Sequence, residues 1–148
     1  MTTQDETLRV IKRFGGFPCC HRQWRDLGHC HYLHGYDRFV EVEWEGTRDE
    51  RGWVVDFADL KMLRDALEYQ FDHTVLASED DPILDQLYQL GAANALDLRI
   101  MDPTMEGMVN WVREQADKLT QMRFPNARVI RVTCWENDKN AASWQASS

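Results

Sequence analysis

Two histidines, His21 in FPCCHR and His34 in HGY, stand thirteen positions apart, and Cys30 lies four residues before the second. Imidazole nitrogen is a good ligand for zinc, and a catalytic zinc keeps three protein ligands plus an open position. Two hydrogen-bonded structural histidines would look the same at this spacing. The next residues sharpen the choice. His34 and Tyr36 are two apart in a strand-like stretch, so both project to the same side. That is the geometry of a His-x-His chelate in which tyrosine is the second member. A thiol beside a divalent cation loses its proton more readily, which makes Cys30 a candidate base or nucleophile. Cys19, Cys20 and Cys134 read instead as small buried residues. Asp72 directly precedes His73; a carboxylate there can orient the imidazole and raise its basicity, although such a dipeptide is common without a role.

The elements that must carry these residues follow from hydrophobic periodicity. LRVIKRF (8–14) reads as a strand. From Tyr36 to Glu45, Val40, Val42 and Trp44 alternate with Glu41, Glu43 and Glu45, a clear half-buried strand. EGTRDERG (45–52) is a polar turn, and WVVDF (53–57) is expected to return as a second strand of a hairpin. Asp56 can cap a helix over about 57–71, in which Leu60, Leu63, Leu67 and Phe71 form one apolar stripe. DDPILDQLYQL (80–90) opens on Asp-Pro and predicts a helix that Gly91 can end. A third helix is expected after Pro103, with Met105, Met108, Val109, Val112 and Leu119 inside. ARVIRVTCWE (127–136) alternates as a closing strand, and the tail NDKNAASWQASS is expected to be polar and loose at its end. Strands, then helices, then a strand favour an α+β fold, an antiparallel sheet with helices on one face.

Composition narrows the classes. The 148 residues predict one domain spanning 1–148 and large enough for an ordinary core. With 43% hydrophobic and 28% charged residues, the chain reads as a soluble globular protein, and no apolar run approaches a membrane span. A net charge of −8 argues against a general nucleic-acid binder, while leaving room for an anionic small substrate. MTTQDETLRV does not look like a signal peptide, so a cytoplasmic setting with reduced thiols is expected.

Together these segments resemble the 6-pyruvoyltetrahydropterin synthase/6-carboxytetrahydropterin synthase family. FPCCHR resembles its aromatic-x-x-x-His segment, and Cys30 through Tyr36 its Cys-x-x-x-His-Gly-His, except at the last residue. GWVVDFADLK, DHTVL, PTMEGMVNW and VTCWEN then resemble, in the same order, its hairpin-and-helix start, its Asp-His-leucine segment, its Pro-Thr-x-Glu before a tryptophan-containing helix, and its strand ending in a pterin-binding glutamate.

The resemblance implies a tunnelling fold: a four-stranded antiparallel sheet with helices packed on one face, assembled as a homo-hexamer (a dimer of trimers) with active sites between subunits. It implies Zn2+ held by His21, His34 and, in place of the third histidine, Tyr36. His29 or His31 as the third ligand, or Tyr36 positioning a zinc-bound water, are the alternatives. Cys30, Asp72 and His73 would be catalytic, and Glu136 would bind the pterin. Arg22, Arg25 and Arg38 are candidates for a triphosphate. The short cysteine-to-histidine spacing resembles the carboxy-forming branch. Its substrate is 7,8-dihydroneopterin triphosphate and its products are 6-carboxy-5,6,7,8-tetrahydropterin, acetaldehyde and triphosphate, on the route to 7-deazaguanines such as queuosine. The alternatives are a related pterin lyase, 6-pyruvoyl-forming or retro-aldol, and a non-catalytic pterin binder. Ala77–Asp102 is longer than the connection of a compact member and is expected to reshape the pocket rim or an interface.

Overall fold

The computed structural model describes residues 6–147. Six strands form one sheet in the order β4-β3-β1-β2-β5-β6. They are β1 (Leu8–His21), β2 (His34–Gly46), β3 (Thr74–Ala77), β4 (Leu98–Ile100), β5 (Ala127–Trp135) and β6 (Ala141–Gln145), and the helices are α1 (Lys61–Phe71), α2 (Leu84–Ala92) and α3 (Met105–Arg123). The fold is α+β, as expected, but the sheet has six strands rather than four. It is also mixed: β1, β2, β5 and β6 pair antiparallel, whereas β3 runs parallel to β1 and β4 parallel to β3.

The central pair is the long one. β1 runs well past Phe14, through GGFPCCH, to His21, and pairs with β2 from Leu8↔Gly46 to His21↔His34. The register shifts between Gly15 and Phe17. Because side chains alternate with period two, one extra residue exchanges the faces of everything beyond it. Phe14 is buried before the shift, and Phe17, Cys19 and His21 are buried after it. The irregularity is what brings His21 inward. Gly15 has φ 133, and a Cβ there would meet the Arg38 carbonyl oxygen at 2.8 Å, so the crossing requires glycine.

On β2, Arg38, Val40, Val42 and Trp44 are buried on one face. That face meets α3: the Trp44 indole N–H donates to Thr120 Oγ1 at 2.9 Å. Helix α3 starts at Thr104, whose hydroxyl accepts from the Gly107 amide at 2.9 Å. It buries Met108, Val109, Val112, Ala116 and Leu119. Helix α1 adds Leu63, Leu67 and Phe71, and the Phe71 ring meets Trp111 edge-on at 5.2 Å.

Two local expectations change. Residues 53–57 are bends and turns, not a strand, since both edges of β2 are already taken by β1 and β5. Asp49 instead accepts from the Trp53 amide and folds the segment back, with Val54 and Val55 buried. Helix α1 begins at Lys61, after a turn in which Asp56 accepts from the Ala58 amide. Within the polar tail, 141–145 form β6, which pairs with β5 and had not been read as a strand. In the long segment, α2 runs one residue past Gly91 and is closed by Asn94 at φ 60, a left-handed stop. β4 then adds an edge strand.

Candidate functional site

The β1–β2 register puts His21 and His34 directly opposite each other. Their Nε2 atoms are 3.2 Å apart and their rings meet edge-on at 4.6 Å. Glu136 joins them from the end of β5, its Oε1 3.8 Å from His21 Nε2. Its amide donates to the Asn140 carbonyl across the β5–β6 turn, which fixes the backbone that carries this carboxylate. One ligand atom from each of His21, His34 and Glu136 lies within 4.8 Å of the others. Two imidazoles and a carboxylate are a donor set of catalytic zinc. His34 Nδ1 donates to the Tyr32 carbonyl at 2.7 Å, the partner that orients a ligating imidazole. The residues fit a divalent metal. Burial first, then the Arg38 and His34 neighbours, lowers the His21 pKa to about 3, so that ring is neutral near pH 7 and available as a ligand.

Tyr36 stands beside this group. Its ring centroid is 5.7 Å from that of His34 and 6.5 Å from that of His21. It also lines an open cleft of about 500 Å³, together with Cys20, Gly35, His73, Thr74 and Leu96. His29 and His31 lie elsewhere, on a single 3-10 turn (His29–His31); His31 Nδ1 bonds the Gly28 carbonyl and its ring packs on Tyr32 at 4.0 Å. Cys30 is exposed on the same turn, with its amide donating to Asp26.

His73 faces the cleft from the α1–β3 junction. Its amide donates to the Pro18 carbonyl at 2.6 Å, and its φ of 61 is a left-handed conformation that a non-glycine residue adopts at a cost. Asp72 Oδ1 accepts from His73 Nδ1 at 2.9 Å, which leaves Nε2 as the free acceptor. Ala95, Leu96 and Asp97 from the long 77–102 segment complete the cleft rim.

The three arginines considered for a triphosphate are engaged within the chain. Arg22 donates to buried Asp81, Arg25 to Asp80, and Arg38 is fully buried against His21. Cys19 and Cys134 are buried and Cys20 is half-buried. Burial raises Cys19 and Cys20 and pushes Cys134 up to about 12. Sequence reasoning had Glu136 as a pterin contact. Its closeness to both histidines had no local signal, because it depends on β5 pairing with β2.

Residues 10–147 match the family model described as 6-pyruvoyl tetrahydropterin synthase. A Pyrococcus abyssi protein named "Putative 6-carboxy-5,6,7,8-tetrahydropterin synthase" is 31% identical over 123 residues, 76% of this chain and 74% of that protein. An Archaeoglobus fulgidus protein of the same name is 32% identical over 98 residues, 64% of this chain and 78% of its own length. Among solved structures, an uncharacterized Wolinella succinogenes protein superposes with a TM-score of 0.80 at 21% identity, covering 96% of this chain and 99% of its own. The 6-pyruvoyl tetrahydropterin synthase of Plasmodium vivax gives 0.70 at 18%, covering 97% and 100%. At these identities the structural matches speak for the fold alone, while the family model accounts for nearly the whole sequence. The chain belongs to the 6-pyruvoyl tetrahydropterin synthase family.

Proposed function

We propose that the protein is a zinc-dependent 6-carboxytetrahydropterin synthase. It would convert 7,8-dihydroneopterin triphosphate and one water to 6-carboxy-5,6,7,8-tetrahydropterin, acetaldehyde and triphosphate, in the cytoplasm, on the route to 7-deazaguanines. The carrying observation is the convergence of His21, His34 and Glu136 ligand atoms within 4.8 Å, a few residues from the exposed Cys30 turn. The printed names of the two archaeal relatives favour the carboxy-forming branch.

In this reading His21 and His34 hold the metal. Two groups are candidates for the third ligand: Tyr36, expected from the strand spacing, and Glu136, favoured by its distance and because a carboxylate is already anionic at neutral pH whereas a phenol is not. When bound, the zinc supplies a Lewis acid for the substrate's side-chain oxygens. Cys30 Sγ, as thiolate, takes a proton from a side-chain carbon. His73 Nε2, held by Asp72 at Nδ1, returns a proton to carbon or to the departing oxygen. If Tyr36 completes the metal site, Glu136 remains free to accept hydrogen bonds from the pterin amino and ring N–H groups. Cys30 and His73 both lie open on a single chain, as groups completed by a neighbouring subunit would, which supports a homo-hexamer with sites between subunits.

The test is incubation of the zinc-loaded protein with 7,8-dihydroneopterin triphosphate and identification of products by mass. The 6-carboxy product with acetaldehyde supports the reading. A 6-pyruvoyl product places the chain in the other branch, and unchanged substrate with tight pterin binding leaves a binding protein. Zinc content of Tyr36→Phe and Glu136→Gln identifies the third ligand, since only the loss of a true ligand strips the metal.

A further inference from the structure

His21 is held from two sides. Toward the core, Arg38 Nη2 donates to His21 Nδ1. Toward the site, His21 Nε2 lies 3.2 Å from His34 Nε2 and 3.8 Å from Glu136. A guanidinium has only donors, so His21 Nδ1 must be the acceptor, and the proton of the neutral ring then resides on Nε2. His34 is oriented the other way. Its Nδ1–H donates to the Tyr32 carbonyl, so its Nε2 accepts from His21. One continuous chain results, from Arg38 through His21 and His34 to Tyr32. His34 offers a lone pair to the site; His21 offers a proton.

This inverts the usual support of a ligating histidine, whose second nitrogen donates to a carboxylate or carbonyl and so becomes a better ligand. The substitution of a cation for that acceptor is not incidental to packing. Arg38 is fully buried; it also donates to Met108 Sδ at 3.5 Å, and among the described residues its Nε has no hydrogen-bond partner. Among the described residues, no carboxylate lies within ion-pair distance of it; the nearest anion in the chain of contacts is Glu136, across the imidazole. A buried guanidinium without a carboxylate is costly to keep, and here it rests against the one ring that both the fold and the metal site use.

We propose that Arg38 opposes metal binding at His21: its buried guanidinium sets a hydrogen-bond donor and a fixed positive charge behind the ring, where a ligating histidine has an acceptor. The site therefore holds zinc more weakly than the same ligands would with a neutral residue at 38. The inference rests on the reading of His21 and His34 as metal ligands, and its experiment separates the two. Zinc affinity is measured by competition with a chromophoric chelator for the wild type, Arg38→Met, Arg38→Leu and His34→Ala. Removing the guanidinium should tighten zinc binding by about 10-fold or more, the scale on which outer partners of metal ligands act. Equal or weaker binding in folded Arg38 variants, with affinity still lost in His34→Ala, overturns the role of Arg38 and leaves the metal site standing. Zinc retained unchanged by His34→Ala, or bound by none of the proteins, overturns the metal reading and this inference with it. A second readout needs no variant: nitrogen-15 NMR of the metal-free wild type should find His21 as the Nε2–H tautomer. An Nδ1–H tautomer would refute the proposal even if both Arg38 variants failed to fold.

Discussion

Replacing Asp81 by alanine tests how the loop that carries Cys30 is anchored. The Asp81 side chain is fully buried and accepts from Arg22 Nε at 2.6 Å and Nη2 at 2.9 Å, and from the Ile83 amide at 2.9 Å. The Arg22 side chain is only 14% exposed, and its Nη1 donates to the His31 carbonyl at 2.9 Å, which fastens the turn holding Cys30 to the end of β1. Asp81→Ala leaves a mostly buried guanidinium without its carboxylate and a part-buried amide without its acceptor. Removing one partner of such a pair costs about 3–5 kcal/mol, a fall in Tm of roughly 10 °C for a chain of this size. Urea denaturation at pH 7 measures it. Arg22→Met/Asp81→Leu, which removes both charges, should recover most of the loss. A loss under about 1 kcal/mol in Asp81→Ala alone would refute the argument. The pH dependence adds a check of sign. Burial raises the Asp81 pKa, but the Arg22 and Ile83 hydrogen bonds outweigh it and the net direction is down. A carboxyl whose folded pKa lies below its unfolded value of about 3.9 contributes fully above that value and loses its contribution as pH falls through the folded one. The gap between wild type and Asp81→Ala should thus be flat from about pH 5 to 8 and narrow only below about pH 4.

Other outcomes follow from single contacts. Cys30→Ala should lower turnover about 10²-fold or more while leaving stability within about 0.5 kcal/mol, since the residue is exposed; steady-state rates and a melting curve check both halves. Asp72→Asn should slow the reaction more than it weakens substrate binding, because it removes the carboxylate that holds His73 Nδ1; kcat and KM measured separately report this. Thr120→Val should cost about 1–3 kcal/mol by leaving the buried Trp44 indole N–H unpaired, measured by urea denaturation.

Local pattern was enough for the parts whose burial repeats along the chain. The Val40-Val42-Trp44 alternation, the α1 stripe and the Met108–Leu119 face of α3 were legible because period two and period 3.6 are properties of a few neighbouring residues. The spacing of His21, Cys30, His34 and Asp72-His73 carried the family resemblance for the same reason: a motif is local. What the sequence could not display was decided by pairing between distant segments. The register shift after Gly15 hid the second half of β1, since a period-two pattern cannot be followed through an inserted residue. β3 is buried at every position and shows no alternation, and β4 and β6 exist only because edges of β3 and β5 were free to accept them. With these three strands added and the expected strand at 53–57 lost, the sheet has six strands rather than four. Arg38 read as a candidate for holding a triphosphate; its place on the inward face of β2, under the β1 end, put it against His21 instead. Glu136 came to stand beside His21 and His34 through the β2–β5 register and the β5–β6 turn. The residue types came from the sequence, and their distances came from the sheet, because hydrogen-bonded register converts positions far apart in the chain into neighbours a few ångströms apart.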